Sequence, residues 1–141
     1  MDPSAHYLYS GLQPAGTVAQ MSIGAGGALT LLSPATVNTA VHQDNVSIDP
    51  TGRYLDAGTD SALYEFAIGS AGQLQALLSP TIASNSTALG RLCMVDPSGR
   101  YFYCATSSGV SQYTVLSGGQ LSAMSTPNVA AGASPEGLAV R

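Results

Sequence analysis

The sequence predicts an all-β protein, a β-propeller built from three four-stranded blade equivalents, on three observations. An anchor segment recurs at constant spacing: Asp2-Pro3-Ser4-Ala5-His6-Tyr7-Leu8-Tyr9 returns as Asp49-Pro50-Thr51-Gly52-Arg53-Tyr54-Leu55-Asp56 and as Asp96-Pro97-Ser98-Gly99-Arg100-Tyr101-Phe102-Tyr103, 47 residues apart each time in a chain of 141. Apolar residues alternate with a period of two, the period of strands rather than of helices. The punctuation between apolar runs is that of β-turns. Four antiparallel strands in a repeat of this length make one propeller blade.

Each element follows from local chemistry. In Asp-Pro-Ser/Thr-Gly the Asp accepts backbone N–H bonds, Pro presets φ, and Gly takes the left-handed conformation that returns the chain. A hairpin therefore sits at each anchor (2–5, 49–52 and 96–99). The strand before it is short and apolar, as in Val46-Ser47-Ile48, Cys93-Met94-Val95 and Leu138-Ala139-Val140. The strand after it alternates, with Leu8, Leu55 and Phe102 on one face and Tyr7, Tyr54 and Tyr101 on the other. A third strand is expected over 61–68, and Gly69-Ser70-Ala71-Gly72 turns it into a fourth that begins at Leu74. Gly24-Ala25-Gly26-Gly27 is the same turn in the first repeat. Leu32-Ser33-Pro34, Leu78-Ser79-Pro80 and Ser125-Thr126-Pro127 close the units.

The phase of the repeat predicts a partner. The given chain starts at the turn that follows an innermost strand, and 135–140 reads as an innermost strand with no blade of its own. Three blades do not close a ring, since propellers use about 4–8. A two-fold homodimer of six blades is expected, each closing strand completing the first blade of the other copy.

The D-P-S-G-R-Y-x-Y hairpin, the glycine turn and the following S-P resemble the YVTN-type repeats of the lactonase-like (phosphogluconolactonase-like) propeller family, over nearly the whole chain. The resemblance implies a propeller blade. Such blades serve many functions, so it implies little about activity.

Composition excludes several classes. The chain is 45% hydrophobic, as a folded domain requires, and 9% charged with a net charge of −4 and no Lys. That is not the basic footprint of a nucleic-acid binder. No apolar run reaches the length of a membrane-spanning helix, and no targeting segment is present in the chain as given. A soluble protein of unassigned compartment is expected. Cys93 and Cys104 flank the third anchor turn. A loop of Pro97-Ser98-Gly99 sets Cys93 opposite Tyr103 and Cys104 on the other face, so two buried reduced thiols are preferred; a loop one residue longer brings them to the same face.

No catalytic motif is present: there is no G-x-S-x-G elbow and no H-E-x-x-H, and the Gly24 cluster precedes a strand rather than a helix. No cofactor is implied. His6 occupies the slot of Arg53 and Arg100 and reads as a solvent-facing turn residue. Asp56 and Asp60 bracket a turn and are weak candidates for a shared cation, short of the six to eight oxygens calcium takes; as structural residues they read as a charged loop guarding a sheet edge. Asp56 also departs from Tyr9 and Tyr103 at its repeat position, while the tyrosines themselves read as ordinary sheet packing.

The best candidate ligand site is a register of charge. Asp44, Arg91 and Glu136 occupy equivalent positions at the starts of the three inner strands, facing the mouth of the central channel, with His42 and Gln43 beside them. A small polar or cationic ligand there is the functional reading; a solvated rim of partly paired charges is the structural one. Three function classes follow: a self-assembling, non-enzymatic binding scaffold, preferred for want of catalytic groups; a lactonase-like hydrolase acting on a sugar lactone at the channel mouth; and a carbohydrate-binding lectin, disfavoured by the absence of Trp.

Overall fold

The Asp-Pro anchors set the register of the hairpins around them. The structure is a computed structural model that describes residues 5–13, 15–39, 43–59, 62–83, 89–132 and 137–141, and for 43, 44, 78–83 and 89–91 it describes the backbone alone. The Asp96 carboxylate accepts from the N–H of Ser98 (3.1 Å), Arg100 (2.9 Å) and Tyr101 (2.8 Å) and from the Ser98 hydroxyl (2.6 Å). Asp49 accepts in the same way from the N–H of Thr51 (3.0 Å), Arg53 (2.8 Å) and Tyr54 (2.8 Å) and from the Thr51 hydroxyl. Burial pushes the Asp96 carboxyl up, but the Ser98 hydroxyl and the N–H groups of Tyr101, Ser98 and Arg100 draw it down further, below the ordinary carboxylate range. Gly52 and Gly99 turn the chain at φ 71°, and Ala5 takes the same left-handed conformation at φ 59° in the first repeat.

Because one carboxylate captures so many donors, the loop holds four residues rather than three. The Asp96 N–H donates to the Tyr101 carbonyl at 2.9 Å, and the ladder continues Val95↔Phe102, Met94↔Tyr103, Cys93↔Cys104. This corrects the expectation of free thiols: Cys93 and Cys104 face one another and form a disulfide, with S–S 2.08 Å. The three-residue loop was one residue short, and in a strand pair one residue exchanges the faces.

Eleven strands form three antiparallel sheets among the described residues, which contain no helix. The first blade is β1 (Tyr7–Leu12), β2 (Thr17–Ile23) and β3 (Leu29–Asn38). The middle blade is β4 (Gln43–Ile48), β5 (Tyr54–Thr59), β6 (Ala62–Ile68) and β7 (Leu74–Ala83). The third is β8 (Leu89–Val95), β9 (Tyr101–Thr106), β10 (Gly109–Val115) and β11 (Leu121–Ala130). The third and fourth strands expected at 61–68 and from Leu74 are β6 and β7. The ladder between the two outermost strands of each blade slips at one residue, between Ala19 and Met21, Tyr64 and Phe66, and Ser111 and Tyr113, so Gln20, Glu65 and Gln112 stand at equivalent bulges.

The core lies between blades rather than within them. Tyr9 and Val18 of the first blade pack on Leu55, Ala57, Phe66 and Leu74 of the middle one, and Leu63 of the middle blade packs on the disulfide, Phe102, Tyr113 and Leu121 of the third. Inner strands β4 and β8 are tied by the N–H of Cys93 donating to Asn45 Oδ1 and that of Val95 to Ser47 Oγ, both at 3.2 Å. Of the expected closing strand 135–140, residues 135 and 136 lie outside the described residues, and 137–141 belong to no strand within the chain. No described helix is long and apolar enough to cross a membrane.

Two substitutions test this geometry. Ala5→Gly relieves the left-handed backbone of the first anchor and raises unfolding free energy by about 0.5–1 kcal/mol in urea titration. Replacing Cys93 and Cys104 together by Ala removes a cross-link that spans 11 residues and lowers stability by about 2–3 kcal/mol; unreduced, denatured wild-type protein should react with no thiol reagent.

Candidate functional site at the inner strand ends and blade junctions

Antiparallel pairing places the starts of the inner strands at one end of the blades. Gln43 and Asp44 begin β4, and Arg91 lies near the start of β8. Both starts are irregular: the ladder slips between Gln43 and Asn45, which makes Asp44 a bulge residue, and again between Leu89 and Cys93, around Arg91. Bulges re-aim side chains and are common beside binding sites. The structure thus brings the backbones of Asp44 and Arg91 to equivalent irregular positions on neighbouring strands; the side chains of Gln43, Asp44 and Arg91, and residues His42 and Glu136 altogether, lie outside what it describes. Asn45 and Ser47, further along β4, are taken up by the β8 backbone. His6 is exposed, as its turn position implies.

The weak cation pair is corrected. Asp60 lies outside the described residues, and Asp56 is no loop residue: it is in the middle of β5, 3% exposed, directly opposite Glu65 on β6, which is 1% exposed. Among the described residues no three His, Cys, Asp or Glu side chains converge to hold a metal ion. Asp56 Oδ1 and Glu65 Oε2 lack hydrogen-bond partners there. Burial, then the charges of Glu65 and Asp49, push the Asp56 carboxyl well above its ordinary value. Burial also raises Glu65, against the pull of the Leu121 N–H. Neither acid has surface to offer a substrate, so the pair belongs to the junction between the middle and third blades.

That junction is made twice with the same parts, a regularity that reading the tyrosines as plain sheet packing missed. At the bulge of the first blade, Gln20 Oε1 accepts from the Leu74 N–H of the middle blade at 2.5 Å while its Nε2 donates to the Pro34 carbonyl at 2.9 Å. At the next bulge Glu65 Oε1 accepts from Leu121 N–H, again at 2.5 Å. The ring of Tyr7 lies on Gly72, and that of Tyr54 on Gly119, so closely that a Cβ at either glycine would overlap the ring. Both glycines have φ 81°. Tyr9 completes the first junction by donating to the Gly72 carbonyl at 2.7 Å; Asp56, at the same repeat position, has too short a side chain to copy it. The signal was in the sequence as the recurrence of Tyr with Gly 65 residues on, in the following repeat.

No protein-family model matches the chain, and no curated protein does. Solved structures do. A protein from Lactobacillus plantarum superposes with TM-score 0.82 at 18% identity, over 95% of this chain and 41% of its own. The chain has a propeller-like all-β fold in common with it. A provisionally named 6-phosphogluconolactonase from Bacteroides uniformis gives TM-score 0.81 at 18% identity, covering 95% of this chain and 40% of that one. Another from Bacteroides fragilis gives 0.73 at 18% identity over 86% and 38%. The chain therefore spans about two fifths of the length of these structures, and the likeness is one of fold.

The buried acids generate a pH dependence with a definite sign. Both carboxyls are raised in the folded state, so their stabilising contribution is complete below the unfolded carboxylate value of about 4 and is lost as pH rises through the raised folded values. Asp56→Asn should raise stability by about 1–3 kcal/mol at pH 8, the scale of relieving a buried unsatisfied group, and by much less at pH 4, as read by urea unfolding at the two pH values.

Proposed function

We propose that this chain supplies three blades of a lactonase-like propeller hydrolase that opens a sugar lactone at the channel mouth. The observation that carries the reading is the pair of bulged inner-strand starts bearing Asp44 and Arg91, on a fold shared with two provisionally named 6-phosphogluconolactonases. A cyclic ester needs a base to take a proton from water as it attacks the carbonyl carbon, and a cation near the oxyanion that forms. In this reading Asp44, Glu136 or His42 is the base and Arg91 the cation. Collapse of the tetrahedral intermediate breaks the ring C–O bond, and the leaving oxygen takes back the proton. Gln43 is the residue this reading assigns to the sugar hydroxyls.

A second reading, a binding scaffold that holds a small polar ligand without transforming it, draws support from the sequence, which carries neither a G-x-S-x-G elbow nor an H-E-x-x-H motif. A panel of sugar lactones separates the two. The hydrolase reading expects turnover, and a chain carrying Asp44→Ser, Arg91→Ser and Glu136→Ser should lose at least about 100-fold in kcat/KM with its melting temperature retained. Ligand-induced thermal shift without turnover selects the scaffold; neither response to any lactone defeats the hydrolase.

A further inference from the structure

The blade junction made twice inside the chain has a third copy whose two halves both stand open. On the third blade, Tyr101 repeats Tyr7 and Tyr54; Arg100 lies 5.6 Å from its ring centroid, as Arg53 does from that of Tyr54. The two glycines that lie under a tyrosine ring, Gly72 and Gly119, are taken by Tyr7 and Tyr54. Gln112 repeats Gln20 and Glu65: its Nε2 donates to Thr126 O at 2.6 Å, as Gln20 does to Pro34 O, and its Oε1 has no hydrogen-bond partner among the described residues. Val110 repeats Val18 and Leu63, each 0% exposed, but is itself only half-buried.

The matching half is on the first blade. Gly27 has φ 83° in the turn equivalent to those of Gly72 and Gly119, yet nothing lies within 4 Å of a Cβ built on it. Leu29 repeats Leu74 and Leu121; they are 6% and 4% exposed, and it is 51% exposed. Its N–H corresponds to the ones that Gln20 and Glu65 hold. Leu31, 61% exposed, extends the same strand.

We propose that a second copy of this chain docks head to tail across these faces: Tyr101 on Gly27, the Tyr103 hydroxyl on the Gly27 carbonyl as Tyr9 is on Gly72, and Gln112 Oε1 on the Leu29 N–H. The occupant is identified by chemistry. A partner for the third blade needs a left-handed glycine that admits a ring, followed two residues later by a leucine whose N–H is available; this chain carries that surface on its own first blade. The interface is heterologous, so a pair joined once retains one open face of each kind, and joining those two closes a ring of six blades. The junction is independent of the chemistry at the inner strand ends.

Light scattering on the 141-residue chain at micromolar concentration should give twice the mass of the 14.2 kDa chain. Tyr101→Ala with Gln112→Ala disables the third-blade face, and Leu29→Glu disables the first-blade face; Val110→Arg is a second route to the former. Each variant alone should dissociate at least about 100-fold more readily than wild type. An equimolar mixture of the two kinds should recover dimers, because one intact junction can still form between them. The proposal is overturned by a wild-type chain that stays at the mass of one copy, its faces then belonging to other blades, by variants that keep the wild-type mass, or by a mixture that fails to associate.

Discussion

A four-stranded sheet of this size has two faces and cannot bury either alone, so everything in this protein depends on how one blade covers the next. The contact is specific in composition: an aromatic ring laid on a left-handed glycine, and a bulged polar side chain that holds the backbone N–H two residues beyond that glycine. The glycine serves two needs at once. It turns the hairpin at positive φ, and the absence of a Cβ leaves room for the ring. The bulge supplies the second contact, because a residue released from its own ladder is available to a neighbouring sheet.

The two internal junctions share this frame and differ in how well it is satisfied. Between the first and middle blades, Tyr9 reaches a carbonyl and Gln20 both donates and accepts, so the polar groups are spent. Between the middle and third blades, Asp56 and Glu65 replace them, and the site gains a buried pair of acids, each with an oxygen that has no hydrogen-bond partner among the described residues. The Cys93–Cys104 disulfide stands at this same junction, its Cys93 sulfur 3.3 Å from where a Cβ on Gly58 would lie. The disulfide joins β8 to β9 within the third blade, so it stiffens the face that Leu63 packs against and leaves the junction itself held by non-covalent contacts.

The proposed chemistry is assigned elsewhere, to strand ends that the junctions hold in place. Asn45 and Ser47 bind β4 to β8 through backbone donors, which sets the spacing of the strand starts where Asp44 and Arg91 lie. A bulge at one start and an irregular stretch at the other free those positions from the pleat. The residues that lock the inner strands together, Asn45 and Ser47, are therefore distinct from the residues proposed to meet a ligand.

By itself the sequence determined the blades: turn chemistry at Asp49 and Asp96, period-two alternation and the 47-residue spacing are local signals, and local signals survive without tertiary context. Register did not follow as securely. Asp96 closes its loop with side-chain bonds that reach to Tyr101, and that one additional residue converts two expected thiols into a disulfide. Asp56 likewise looked like a charge on a loop, because nothing nearby in sequence announces that Glu65 will stand opposite and a third blade will cover both. Only the tertiary structure decided which tyrosines are connectors and which acids are buried, since those roles depend on a partner residue some 50 to 65 positions away on the next sheet.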